Sequence, residues 1–291
     1  MHWRVGDVTV TRVEERIVAV PAASLLPGAT VDLQAATGAW LAPYFEPDGR
    51  IRLSNHAFVV QTPHRVIVVD TCVGHGRERP LPGDAGFVDR LGDALPSGLA
   101  GVDVVVCTHM HFDHVGWNTV EVDGIVVPTF PNARYLFART ELAALQADDH
   151  FDLHSVSIEP VIAAGKADLV DTDHHIDRWV RLVPTPGHTP GHVSVVIESQ
   201  GARALITGDA FHSPIQIAHP HVAAEPFDHD SAQSTATRAS LLDDLQDTET
   251  LVLGTHFAPP TAGHVRTRGS ERTFEPVDAQ PVRPATETVQ S

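Results

Sequence analysis

Cysteine is scarce in this sequence, which has two among its 291 residues, Cys72 and Cys107. Each ends a valine-rich run, a position typical of a buried free thiol and not of a disulfide framework. A reducing compartment is therefore expected, and the cytoplasm is the predicted location. The opening residues, MHWRVGDVTVTRVEE, lack a basic segment followed by a long apolar one, so no signal peptide is predicted.

Basic residues are also few, since 20 Lys and Arg stand against 37 Asp and Glu, for a formal net charge of -17. Such a surface repels phosphate backbones and anionic lipid headgroups, which disfavours nucleic acid as a partner. No apolar run approaches the roughly 20 residues that span a bilayer, so a membrane location is disfavoured as well. The hydrophobic fraction of 42% is that of an ordinary folded chain.

Short runs rich in Val, Ile or aromatic residues recur along the chain and are bounded by Gly, Pro or Asp, which is the pattern of strands. They include HAFVVQT, RVIVVDT, VDVVVCTH, WVRLVPT, ARALITGD and TLVLGTH. Between them, TELAALQADD and SAQSTATRASLLDDLQD have the composition and spacing of helices. This alternation predicts an α/β fold in which helices cover sheets.

The chain is expected to form one domain over residues 1–268. Within it, residues 21–55 mix Pro, Gly and aromatic residues, and their length predicts an inserted functional loop. From residue 269 onward the sequence is polar and contains several prolines. Residues 269–291 are therefore predicted to be a partly mobile tail.

Four of the predicted strands end in histidine or aspartate. The motif THMHFDH follows one strand, and His188, Asp209 and His256 follow the others, in PGH, TGD and GTH. Ligands of α/β proteins tend to bind at the carboxyl ends of strands, so these side chains are expected to converge at one edge. Together they offer seven nitrogen or oxygen donors without a cysteine, the kind of set that binds a divalent metal.

The ordered set HxHxDH, PGH, GD and GTH resembles that of the metallo-β-lactamase superfamily. The resemblance implies an αββα sandwich, in which two mixed sheets face each other with helices outside. It also implies two divalent ions with separate ligands and one bridging carboxylate. One ion would be bound by His109, His111 and His188, the other by Asp113, His114 and His256, and Asp209 would bridge them.

Further roles follow from the same resemblance. Asp70, at the end of VIVVD, matches a family aspartate that orients a ligand histidine from behind. The donors suit Zn, Mn, Co and Fe alike, with Zn the first expectation. A hydroxide held between two such ions is a nucleophile at neutral pH, so hydrolysis is the predicted reaction. In this hypothesis Asp209 positions the bridging species, and Asp113 takes up or relays the proton.

The remaining histidines are weaker candidates. Several of them lie in acidic, loop-like sequence and are interpreted as ordinary surface residues. These are His150, His154, His174 and His175. His192, in GHTPGH, is expected to pack or hydrogen-bond near the site.

Subfamilies are separated by elimination. A thioesterase of the glyoxalase II kind would add a helical domain after the last ligand, whereas 35 residues follow His256. An RNA-processing member would need a basic surface for phosphates. Flavodiiron relatives carry a carboxylate in place of His111. A mononuclear iron persulfide dioxygenase stays open, because it can retain the same histidines. A metal-binding protein without hydrolytic turnover stays open as well.

The sequence instead resembles the branch that contains N-acyl homoserine lactonases and methyl parathion hydrolase. The stretches HFDHVGWNT and LVLGTHFAPPTAG carry this resemblance. The branch implies a quorum-quenching lactonase or an esterase, with phosphotriesterase or β-lactamase-like activity as alternatives, and it is compatible with a homodimer. The lactonases typically have tyrosine three residues after the bridging aspartate, where this chain has His212. Histidine donates hydrogen bonds and shuttles protons near neutral pH, so His212 is predicted to assist the substrate oxygen.

A lipophilic small molecule is the expected substrate. Large apolar side chains in the predicted loop and beside the first motif are candidates to wall a pocket around the metals. In the alternative interpretation, the same side chains bury the loop or form a dimer contact. The candidates are Trp40, Leu41, Tyr44, Phe45, Phe112 and Trp117.

Overall fold

Two β-sheets packed face to face form the centre of the molecule. A computed structural model describes residues 1–74, 83–147 and 152–280 of the chain. The larger sheet has parallel strands on one side and antiparallel strands on the other. Its spatial order is β1 (His2–Val5), β2 (Val8–Val20), β3 (Ile51–Gln61), β4 (Val66–Val69), β5 (Val104–Val106), β8 (Arg134–Ala138) and β9 (Ala167–Val170).

The smaller sheet is also mixed, because one of its strand pairs is parallel and the others are antiparallel. Its order is β10 (Val180–Pro184), β11 (Val193–Ser199), β12 (Ala202–Ile206), β13 (Leu251–Leu253), β14 (Ala262–Arg268) and β15 (Glu271–Pro276). A separate hairpin is formed by β6 (Thr119–Val122) and β7 (Ile125–Pro128).

Eight α-helices lie between and around the strands of the described ranges. They are α1 (Ala22–Leu25), α2 (Val31–Thr37), α3 (Phe87–Ala94), α4 (Phe112–Val115), α5 (Arg139–Ala147), α6 (Glu159–Ala163), α7 (Ile215–Ala218) and α8 (Ser231–Leu245). Short 3₁₀ turns occur at Ala39–Tyr44, Leu99–Gly101, Gly116–Asn118 and Gly208–Ala210, and a π-helical turn occurs at His154–Ile158.

Burial on both faces explains why the central strands are apolar along their whole length. In β4, Ile67 and Val69 belong to the core between the sheets, while Val68 belongs to the core under the outer helices. Helices α3 and α5 cover the larger sheet, and α7 and α8 cover the smaller one through Ile215 and Leu242 respectively. The predicted αββα sandwich is confirmed.

Two segments differ from the expectation. Residues 21–55 contain α1, α2 and a 3₁₀ helix, and β3 already begins at Ile51, so this stretch is not a plain loop. Its order follows from burial of Leu25, Leu26 and Leu41 against the smaller sheet. Residues 269–280 are not a free tail, since β15 pairs with β14 and buries Phe274. The rest of the predicted tail, 281–291, lies outside the described residues.

Both cysteines are free and buried, as the sequence predicts. Across the part of the chain that the structure describes, no helix combines the length and the apolar character needed to cross a bilayer.

Candidate dinuclear metal centre

The predicted donors meet at one edge of the sandwich, where four strands end. After β5 the chain passes His109 and His111 and enters α4, which presents further donors from its first turn. The other donors follow the ends of strands in the smaller sheet. His188 comes after β10, Asp209 lies in the 3₁₀ turn after β12, and His256 follows β13.

Asp209 stands between two groups of donors. Its Oδ2 lies 3.8 Å from His109 Nε2 and 3.4 Å from His188 Nε2. Its Oδ1 lies 3.3 Å from His114 Nε2. His256 Nε2 is 3.2 Å from both oxygens. One carboxylate therefore contacts both groups, which is the geometry of a bridging ligand.

Each group is compact enough to hold one ion. The ligand atoms within each lie no more than 4.8 Å apart. In the first group, His188 Nε2 is 2.9 Å from His111 Nδ1. In the second, His256 Nε2 is 3.6 Å from Asp113 Oδ2. The first group is His109, His111 and His188, and the second is Asp113, His114 and His256.

The donor chemistry fits divalent cations. His109 Nε2 is fully buried and has no hydrogen-bond partner among the described residues, a costly arrangement unless a ligand binds there. Burial lowers the pKa of His111 to about 3 and that of His188 to about 4, which keeps both rings in the neutral, metal-binding form. Burial raises the pKa of Asp209, but the charges of His114 and His256 outweigh it and hold that pKa well below its usual range.

Asp70 supports two of the ligand histidines, in agreement with its predicted place behind the site. Its Oδ2 accepts a hydrogen bond from His114 Nδ1 at 2.9 Å and another from the hydroxyl of Thr108 at 2.9 Å. The Thr108 hydroxyl in turn lies 3.1 Å from His109 Nδ1. Asp70 has a positive φ of 59°, a strained conformation that costs about 1–3 kcal/mol and is concentrated at functional sites.

Asp228 supports a histidine of the first group in the same way, and it was not predicted from the sequence. His188 Nδ1 donates to Asp228 Oδ1 at 3.0 Å, which directs Nε2 toward the centre. Ser234 of α8 and the backbone N–H of Ala224 also donate to this carboxylate. No motif marks Asp228, because its partner lies 40 positions away in the chain.

Strand β3 supports the second group, a role that was also not predicted from the sequence. Asn55 Nδ2 donates to Asp113 Oδ2 at 3.0 Å. His256 Nδ1 donates to the carbonyl oxygen of Ser54 at 2.9 Å. With Nδ1 engaged in this way, His256 presents Nε2 to the centre, as His114 and His188 do.

His192 and His212 flank the bridging carboxylate. The backbone N–H of Asp209 donates to His192 Nε2 at 2.8 Å, and His192 Nδ1 donates to the carbonyl of Thr185 at 3.0 Å. His192 therefore fixes the turn that carries Asp209. His212 Nε2 lies 3.2 Å from Asp209 Oδ2, and within the described ranges its buried Nδ1 has no hydrogen-bond partner.

A cavity of about 610 Å³ opens above the donors. Its floor includes His111, Asp113, Asp209 and His212. Among the described residues that line it, none is Lys or Arg. Its apolar walls are formed chiefly by Leu25, Leu53, Phe112, Leu145, Leu153 and Phe227.

Most of the aromatic residues proposed for the pocket lie elsewhere. Tyr44 packs edge-on against Phe257 and Phe274, and its hydroxyl donates to the carbonyl of Pro260. Trp117 is buried under the larger sheet, where its Nε1 donates to Glu15. The alternative, in which such side chains bury their own segment, describes them better. Of the candidates, Phe112 lines the cavity, whereas Trp40, Leu41, Tyr44, Phe45 and Trp117 are absent from its lining.

The histidines interpreted as surface residues stay apart from the centre. None of the described ones, His154, His174 and His175, belongs to a donor group. His150 lies outside the described residues.

The fold and the bridged donor groups together define a metal-dependent hydrolase. A family model described as the metallo-β-lactamase superfamily matches residues 50–256, which is more than half of the chain. The chain therefore belongs to the metallo-β-lactamase superfamily.

Among its relatives, an N-acyl homoserine lactonase of Bacillus thuringiensis is 31% identical over 111 residues, which cover 38% of each protein. The probable metallo-hydrolase YflN of Bacillus subtilis is 24% identical over 180 residues, 55% of this chain and 61% of that protein. Each match thus spans less than two thirds of the relative.

Solved structures match over nearly the whole chain. The hydrolase AbOPH of the β-lactamase superfamily has a TM-score of 0.79 at 21% identity and covers 96% of this chain and 98% of that one. AidC, a dizinc quorum-quenching lactonase in complex with a product, has a TM-score of 0.77 at 21% identity and covers 97% and 98%. At this identity the match shows a shared fold.

Proposed function

We propose that this protein is a dinuclear metallohydrolase that opens a lactone, or cleaves an ester, of a neutral lipophilic small molecule. The observation that carries the proposal is the position of Asp209, whose carboxylate contacts both donor groups at the floor of an apolar cavity. The similarity to lactonases, in sequence and in fold, supports this substrate class.

Zinc is the proposed metal, since histidine and carboxylate donors suit it and one similar structure is a dizinc lactonase. Two bound ions would lower the pKa of a coordinated water toward neutrality and polarise the substrate carbonyl. The residues that would hold them are His109, His111 and His188 for one ion, Asp113, His114 and His256 for the other, and Asp209 for both.

The protein's own residues then orient the reactants and move the proton. His192 fixes the Asp209 turn, and Asn55 fixes Asp113. The attacking water gives up a proton as its oxygen bonds to the carbonyl carbon, and Asp113 accepts that proton. His212 donates a hydrogen bond to the substrate oxygen. As the ring or ester C–O bond breaks, the proton passes to the leaving oxygen, which yields a hydroxy acid or an alcohol and an acid.

The charge of the cavity defines the substrate further. Three carboxylates whose side chains are buried, Glu141, Asp209 and Asp228, belong to its lining, and the described residues that line it include no Lys or Arg. A carboxylate at the far end of the acyl chain, away from the two ions, would lie in the apolar cavity without a cationic partner, which costs several kcal/mol. A neutral lactone or ester enters without this penalty.

The test compares p-nitrophenyl hexanoate with mono-p-nitrophenyl adipate, two esters of equal acyl length of which the second ends in a carboxylate. We expect kcat/KM for the neutral ester to be at least about 100-fold higher, equivalent to about 2.7 kcal/mol. An Asp209→Ala variant supplies the background rate. Equal rates for the two esters would contradict the neutral-substrate assignment.

The same preparation distinguishes the other chemistries that the donor set allows. Metal analysis should find about two ions per chain, and neutral γ- and δ-lactones should be opened faster than aryl phosphotriesters or β-lactams. One iron per chain with oxygen consumption on persulfides would instead identify a dioxygenase. A clear preference for phosphotriesters would overturn the lactone and ester assignment.

A further inference from the structure

Glu141 is a buried carboxylate with no part in the reaction or the ligand set described above. It lies in the first turn of α5, and 4% of its surface is exposed. Its Oε1 accepts the backbone N–H of Met110 at 2.9 Å, and its Oε2 accepts the backbone N–H of Gly191 at 3.0 Å. Each oxygen therefore contacts a different segment of the metal centre.

The two segments together supply the whole first donor group, and the first of them continues into α4, which carries two donors of the second group. Met110 stands between His109 and His111, and Gly191 follows His188 by three residues. The backbone at Gly191 packs closely against α5, since a Cβ added at Gly191 would lie 2.3 Å from the backbone nitrogen of Glu141. Glu141 thus joins the two segments through their backbones and not through the ligand side chains.

The second donor group depends on other supports. His114 is held by Asp70, and His256 is held by the backbone of Ser54. Asn55 holds Asp113 in the same group. None of these hydrogen bonds involves Glu141. A substitution at Glu141 should therefore disturb the first donor group and leave the geometry of the second unchanged.

We propose that Glu141 is a positioning residue that sets the spacing between His188 and the pair His109 and His111, and so controls the affinity of the first metal site selectively. The inference rests on the two-ion function proposed above. A carboxylate is needed because both partners are N–H donors, and it offers an acceptor to each. The side-chain amide introduced by Glu141→Gln would turn an NH₂ group toward one of them, and the two segments would separate.

The experiment titrates the metal-free, full-length protein with Zn²⁺ against a chromophoric chelator, and with Co²⁺ by its absorption spectrum. The wild type should bind two ions. In Glu141→Gln we expect the affinity for one ion to fall about 10–100-fold, the usual effect of removing a partner behind the ligands, while the other stays within about twofold. Glu141→Asp keeps the charge on a shorter side chain and should weaken the same ion to a smaller degree.

Two controls separate positioning from general damage. Glu159→Gln makes the same chemical change at an exposed residue in the first turn of α6 and should leave both ions unaffected. Asp70→Asn removes a partner of His114 and, through Thr108, of His109, so it should weaken both ions. If Glu141→Gln does not fold, Glu141→Asp supplies the same selective readout.

The outcomes are distinguishable. A wild type that binds a single ion would contradict the two-ion function itself. A wild type with two ions, together with a folded Glu141 variant whose affinities are unchanged or are weakened equally, would overturn the role of Glu141 and leave the function standing.

Discussion

His212 lies beside the bridging carboxylate, where two different chemical roles are open to it. Its ring stacks on that of His256 with centroids 5.7 Å apart, and the ring of His188 meets it at 4.9 Å. With His188 and Asp209 it also satisfies the spacing of a metal-binding group. Two roles therefore compete for this side chain, a hydrogen-bond donor to substrate and an additional metal ligand.

A His212→Phe variant separates these roles. We expect kcat to fall about 100-fold, the lower part of the range for a positioned acid or base, because phenylalanine keeps the ring but has no donor. KM should change little, and metal analysis should still find two ions per chain. His212→Tyr should recover part of the rate, since tyrosine restores a donor. Loss of one ion in His212→Phe would identify a ligand instead, and an unchanged kcat would refute any part in the reaction.

The sequence predicted the metal donors but not every residue that supports them. The donors were predictable because each follows a strand end within a short motif, so local sequence fixes both the residue type and its place. Asp228 was not, because its contact with His188 depends on how the chain after α7 folds back over the loop. Hydrogen-bonding partners of this kind carry no periodic signal, whereas Asp70 could be predicted through the resemblance and its position at the end of β4.

Among the elements, the contact between α8 and the His188 loop controls the first donor group. Gly187 has a φ of +130°, and a Cβ at this position would lie 2.2 Å from the backbone nitrogen of Ser234. Ser234 itself donates to Asp228, and Thr237 donates to the carbonyl of Pro186. The start of α8 therefore fixes the loop that ends in His188.

Replacing Gly187 by Ala should move the loop that ends in His188 away from α8. Gly165→Ala is the matched control, because Gly165 also has a positive φ, of +68°, but has no atom within 4 Å of an added Cβ. The control should lose about 1 kcal/mol of unfolding free energy from backbone strain, and Gly187→Ala about 1–3 kcal/mol more from the clash. Urea unfolding measures both, and metal titration should show a weaker first ion in Gly187→Ala alone. Equal losses in the two variants would contradict the contact argument.

Most strands and the two long helices were predictable because their apolar spacing is strong, and α5 and α8 occur where expected. The β14 and β15 hairpin was not recognised, since its strands are largely polar and lie at the edge of the smaller sheet. The sequence did contain a turn signal, because Gly269 lies between two runs in which apolar and polar residues alternate. In the structure Gly269 begins the turn, with a φ of 68°. Composition alone also cannot tell toward which core an aromatic residue such as Tyr44 points.

At the scale of the whole molecule, the metal centre joins the two sheets. His109, His111 and the donors of α4 leave the larger sheet at β5, whereas the remaining donors leave the smaller sheet. Each ion would therefore be bound by residues of both layers: the first has His188 from the smaller sheet, and the second has His256. The layer arrangement was predicted through the resemblance of the donor motifs to the superfamily, but this cross-connection depends on which strand ends are neighbours.

Metal removal should consequently destabilise the entire fold and not only the site. Ions that bind the folded chain alone add about 2.7 kcal/mol to the free energy of unfolding at a free concentration about 100 times Kd, because the unfolded chain cannot bring the two sheets' donors together. Urea unfolding with and without a chelator should show a lower midpoint in the metal-free protein and a similar slope. The Asp209→Ala variant, which lacks the bridge, should respond much less to added Zn²⁺. Equal midpoints for the metal-loaded and metal-free wild type would show that the ions do not hold the sheets together.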